Sequence, residues 1–123
     1  MKSYGDSLRL FNEAADLINR AAKERESWKH LCREALTRIL QALILLKGGG
    51  YRPESDLTFL AAQALEVGAI NEELYALVVK ANLIINGYLS GGLEDVLSVA
   101  YALMRRAASI DAYLNQQMSL YRY

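Results

Sequence analysis

Asn82 and Asn86 stand one helical turn apart in an otherwise apolar stretch, with Tyr88 close behind. A carboxamide donates and accepts hydrogen bonds but moves no proton near neutral pH. The pair is therefore suited to binding, or to pairing with another polar group, and not to acid–base work. The plain reading is two polar groups at the edge of an apolar stripe, meeting across a helix interface. On that reading Tyr88 packs.

Other chemistries lack their parts. His30 and Cys32 are the only histidine and the only cysteine. Two apart on a helix, they point in different directions and make no zinc site. A serine or cysteine triad would need that same histidine beside its nucleophile, and no spacing provides it. Gly48-Gly49-Gly50 is not followed by the Lys and Ser/Thr of a phosphate loop. Gly91-Gly92 precedes a helix start, but Glu94 and Asp95 repel an anion there. No metal and no cofactor is implied.

The elements that carry these residues are helical. Ser3 or Asp6 is expected to open a first helix, with Leu8, Phe11, Ala15, Ile18 and Ala22 at helical spacing. Ser27 is a candidate cap for a second. That helix carries two apolar stripes, Cys32-Ala35-Ile39-Ala42-Leu46 and Trp28-Leu36-Leu40-Leu43, so it packs on more than one side and should be central. The glycine triplet ends it. Ser55 or Asp56 caps a short third helix (Leu57, Leu60, Ala61, Ala64, Leu65), stopped by Gly68. Asn71 caps a fourth, whose stripe runs Leu74, Leu77, Val78, Ala81, Ile85, Tyr88 and which Gly91-Gly92 ends. A fifth opens at Glu94-Asp95 and continues through Val96, Ala100, Leu103, Ala107, Ile110 and Leu114, before a tail holding Tyr121 and Tyr123. No segment alternates with period two. The expectation is a single all-α domain over residues 1–123, an up-and-down bundle of four to five helices.

Composition bounds the function. The chain has 123 residues, 53% of them hydrophobic, which is rich for its size and leaves apolar surface for a partner. Its 14 basic and 14 acidic residues cancel, so the whole domain carries no polyanion-binding signature. Charge is uneven along the chain: basic residues predominate from Arg20 to Arg52, and every charge from Glu54 to Glu73 is acidic. RNA is thus a possible partner that net charge does not indicate. One cysteine permits no internal disulfide, as in a reducing compartment. The N-terminal MKSYGDSLRLF lacks the apolar core of a signal peptide, and no run is long enough to span a bilayer. A cytoplasmic protein is expected.

Four pieces in order resemble the HepT branch of the HEPN superfamily. Arg52-Pro53-Glu54-Ser55 is similar to that family's Arg-Pro-Glu-Ser loop. Glu66-Val67-Gly68-Ala69-Ile70 with Glu72-Glu73-Leu74 is similar to its entry into the motif helix. Ala81-Asn82-Leu83-Ile84-Ile85-Asn86-Gly87-Tyr88 lies along its motif of Arg-Asn, three mostly apolar residues, His, any residue, Tyr. Leu93-Glu94-Asp95-Val96 opens the last helix in its manner. The resemblance covers roughly residues 31–110. It implies a HEPN-type bundle, a homodimer formed by the motif and central helices, and a minimal nucleotidyltransferase as protein partner. The family's Arg and His cleave RNA without metal in a dimer cleft, and its tyrosine is a site of adenylylation, here Tyr88. The cleft positions become Ala81, Asn82, Asn86 and Tyr88. Alanine cannot pair with phosphate and asparagine cannot transfer the proton. The resemblance therefore implies a toxin–antitoxin type protein inactive as a ribonuclease and acting by protein contact. Two other readings follow from the same residues. One is an active endoribonuclease with relocated groups drawn from Arg38, Lys80, Tyr88 and His30. The other is a nucleotide or RNA-end binding module in which Asn82, Asn86 and Tyr88 of two subunits line a pocket.

Overall fold

The computed structural model describes residues 2–111, and all regular structure in them is helical. Five α-helices follow in order: α1 (Lys2–Lys23), α2 (Trp28–Leu46), α3 (Leu57–Glu66), α4 (Glu72–Ile85) and α5 (Leu93–Ile110). A single 3₁₀ turn, Arg25–Ser27, joins α1 to α2. No described helix is long and apolar enough to cross a membrane. Leu114, Tyr121 and Tyr123 lie outside the described residues.

α2 is the centre. Leu36, Ile39, Leu40, Leu43 and Ile44 are all fully buried, and α2 touches each of the other four helices. Its two apolar stripes merge into one wide buried surface, as a helix packed on several sides requires. α1 lies antiparallel to it: the Ser7 hydroxyl donates to the Ala42 carbonyl at 3.1 Å, and further along Arg38 reaches Glu13. Ser7, Phe11, Ala14, Ile18 and Ala21 form the seam on α1 at alternating steps of four and three, with Leu10 and Ala15 flanking. Of the expected stripe, Phe11, Ala15 and Ile18 are buried, Leu8 is half-buried and Ala22 faces out. α1 is already helical at Lys2, so Ser3 and Asp6 sit inside the helix and neither opens it. Ser27 precedes α2 without a side-chain cap bond, because the 3₁₀ turn delivers the chain instead.

The other starts follow the chemistry of their caps. Asp56 accepts from the Phe59 N–H and Asn71 from the Leu74 N–H, each at 2.8 Å, satisfying donors the first turn leaves free. At α5 the cap is reversed: Gly92 donates its N–H to the Asp95 carboxylate three residues on.

α4 stops earlier than its apolar pattern suggests. Asn86 is its C-cap, and Gly87 follows at φ +84°. Tyr88 N–H then bonds the Leu83 carbonyl and Gly87 N–H the Ile84 carbonyl, a Schellman closure. The chain turns off before Tyr88 can join the stripe, and that ring is 81% exposed. Gly91 instead folds back onto Ile84, whose Cδ1 would lie 2.7 Å from any Cβ at position 91.

Two predictions follow from this packing. A Cβ at position 87 meets nothing within 4 Å, so Gly87→Ala costs only backbone strain. A loss of about 1 kcal/mol is expected from urea unfolding midpoints. Burial pushes the Cys32 thiol up to about 11 from 9.0. The fold holds this proton where the unfolded chain releases it. Its contribution is therefore complete below pH 9 and lost as pH rises to about 11. Relative to Cys32→Ala, the wild type should lose stability across that window by up to about 1.4 kcal/mol per pH unit, read from chemical denaturation at stepped pH.

Candidate functional site

α2 carries a polar face among its apolar ones. Arg33, Glu34, Thr37, Arg38 and Gln41 recur at i, i+1, i+4, i+5 and i+8, one strip of a helix surface. This strip floors a cleft of about 540 Å³. α1 contributes Leu10 and Glu13 to one side. Pro53, Ser55, Asp56 and Leu57 contribute from the loop and the start of α3, and Asn82 and Asn86 from α4.

Asn86 and Asn82 are linked within this cleft. The Arg33 guanidinium donates to Asn86 Oδ1 at 2.8 Å, the Asn86 amide donates to Asn82 Oδ1 at 3.4 Å, and the Asn82 amide donates to Thr58 Oγ1 at 3.2 Å. The chain of bonds runs from α2 across the end of α4 to α3. Arg33 stands beside the C-terminal turn of α4, where the helix dipole favours a cation. Among the described residues it makes no ion pair.

Arg38 is differently placed. Its Nη1 bonds Glu34 at 2.8 Å and its Nε bonds Glu13 at 3.1 Å, the latter from α1. The hydrogen bond to Glu34 raises its pKa most, burial opposes the rise, and the bond to Glu13 adds to it. The lining thus holds two arginines and three carboxylates (Glu13, Glu34, Asp56), without the positive excess that a polyphosphate requires.

Ala81 is fully buried and turned to the core, so a guanidinium there would be enclosed by apolar side chains. Tyr88 is exposed and does not line the cleft. Of the four residues considered for a relocated nuclease, only Arg38 lines the cleft, and it is committed to two glutamates. Lys80 and His30 are exposed elsewhere. No group of His, Cys, Asp and Glu among the described residues is arranged to hold a metal ion. Arg33 and Gln41 are the residues that sequence reasoning missed. Their signal was present as the second, polar periodicity of α2, overshadowed by its two apolar stripes. Compared with known protein families, curated proteins and solved structures, the chain matches none.

Arg38 and Asn86 should behave differently on truncation. Arg38→Met leaves Glu13 and Glu34 facing a half-buried gap and loosens α1 from α2. A loss of about 1 kcal/mol is expected. Asn86→Ala breaks a solvent-exposed network and should cost about half as much. Urea midpoints of the two variants measured side by side check the ordering.

Proposed function

We propose that the chain is a HepT-like protein of the HEPN superfamily that has lost ribonuclease chemistry. It acts by protein–protein contact, as a homodimer and with a nucleotidyltransferase-type partner in a toxin–antitoxin pair. The observation that carries the loss of activity is the identity and bonding of Asn86. At the position where the resemblance puts a proton-transferring histidine stands an amide, already accepting from Arg33. No histidine lines the cleft, and the position of the motif arginine is the buried Ala81.

Contact is supported by what α3 and α4 leave uncovered. Phe59 is 57% exposed, and Leu83, Tyr88 and Leu89 are exposed with it. Phe59 and Leu83 each follow a member of the bonded pair Thr58–Asn82, and the N–H groups of Tyr88 and Leu89 both bond the Leu83 carbonyl. The four therefore gather at one end of the α3–α4 pair, beside the cleft. Large apolar side chains grouped in this way mark contact surfaces more often than isolated ones do.

Purified protein in EDTA is expected to leave single-stranded RNA and transfer RNA intact. Cleavage by a preparation shown free of contaminating nuclease overturns the reading. Light scattering should give the mass of two chains for the wild type and of one chain for Phe59→Asp combined with Leu83→Asp, with the helical circular dichroism unchanged. A variant that stays dimeric places the interface elsewhere.

A further inference from the structure

Asn86 is followed by Gly87, the one Asn-Gly pair in the chain. Both residues are exposed, on the turn that closes α4. The pair has a chemistry of its own. The backbone nitrogen of Gly87 can attack the Asn86 side-chain carbonyl carbon, because glycine has no Cβ to shield that nitrogen. The nitrogen gives its proton to solvent base and the N–Cγ bond forms. The Cγ–Nδ2 bond breaks, and the amide nitrogen takes up a proton and leaves as ammonia. Water then opens the five-membered imide. Opening at one carbonyl restores the main chain with an aspartyl side chain. Opening at the other routes the main chain through Cβ and Cγ, an isoaspartyl link. In sum, water exchanges an amide for a carboxylate and ammonia is released.

The fold restrains this reaction. Asn86 has ψ 0°, which turns the Gly87 nitrogen away from the Asn86 Cβ and keeps the ring from closing. The Gly87 N–H is bonded to the Ile84 carbonyl at 3.1 Å and the Tyr88 N–H to the Leu83 carbonyl at 2.9 Å, so ψ cannot swing round without undoing the Schellman closure. The side chain is held too: Arg33 donates to Oδ1 at 2.8 Å, and Nδ2 donates to Asn82 at 3.4 Å. Asn86, Gly87 and Tyr88 are all exposed, so the closure can open locally while the bundle stays folded. We infer that Asn86-Gly87 is a site of spontaneous deamidation in the folded protein, gated by opening of the α4 closure and restrained by Arg33. The change is one-way and falls on the cleft. A carboxylate left at position 86 joins Glu13, Glu34 and Asp56 in the lining, and it faces Arg33, which makes no ion pair among the described residues. The isoaspartyl form lengthens the main chain within the closure and displaces the Gly87 and Tyr88 N–H groups from their carbonyls. The inference does not depend on dimerisation or on loss of the nuclease.

The test incubates the full-length folded chain in mildly alkaline buffer, beside a sample unfolded in guanidinium chloride, and follows each asparagine by peptide mass spectrometry. The mass gain of amide-to-acid exchange is expected at Asn86 ahead of Asn12, Asn19, Asn71 and Asn82, with isoaspartate detected by enzymatic methylation, and the unfolded sample should convert faster. Arg33→Met should speed conversion in the folded chain about fivefold, the effect of one lost hydrogen bond, and leave the rate in guanidinium chloride unchanged. Gly87→Ala should slow the reaction in guanidinium chloride. Conversion of the other asparagines as fast as Asn86 overturns the site. A folded chain still unconverted when the unfolded one is complete overturns its operation in the native protein. Equal rates in the folded and unfolded chains, or a folded-state rate that Arg33→Met does not raise, overturn the gate.

Discussion

The structure depends on enclosing α2. A helix covered on most of its circumference needs four neighbours, and the short connections around Gly48, Gly68 and Gly87 return the chain to it each time. The fully buried leucines and isoleucines of α2 are where the bundle's stability concentrates, since truncating such a side chain typically costs about 2–5 kcal/mol. Everything else in the molecule is arranged around the one strip of α2 left uncovered.

That strip is polar, and its charges are managed locally. Arg38 sits between Glu34 on its own helix and Glu13 on α1, and Glu13 also pairs with Arg9, so that two cations and two carboxylates neutralise one another. The Glu13 contact also pins α1 to α2 at the rim of the cleft. Charges committed in this way are poorly suited to catalysis, because withdrawing Arg38 would leave Glu34 without its cation and release the tie between α1 and α2. Arg33, only five residues earlier, is held by an amide alone and keeps donors to spare. The cleft thus separates a structural cation from an available one.

Much of this was legible in the sequence. The five helices, the cap Asn71, the cap of α3 as one of the neighbours Ser55 and Asp56, and the central position of α2 follow from local pattern, because caps and apolar stripes are decided within a turn or two of helix. The differences lie at helix ends and in the phase of one seam. Extending α4 to Gly91-Gly92 credited Tyr88 to the apolar stripe, although Gly87 offered an earlier and tighter closure. Ala22 stands in the expected α1 stripe in place of Ala21 because both seams alternate steps of three and four, and spacing alone does not set the phase. The cleft itself could not be read from any single segment. Asn82 and Asn86 were visible as oddities, but their partners Arg33 and Thr58 come from other helices, and only tertiary packing brings them together.

The residue at position 86 can be understood from this packing. The Arg33 guanidinium points at it, next to the C-terminal end of α4. A histidine there would stand beside the Arg33 cation, which opposes protonation of the ring, and at the C-terminal end of α4, whose dipole favours it. An asparagine accepts the same hydrogen bond at any pH and tolerates the C-cap position well. The pairing with Arg33 and the absence of a proton carrier at position 86 are therefore mutually consistent. A chain that relies on Arg33 at the end of α4 has physical reason to place an amide beside it.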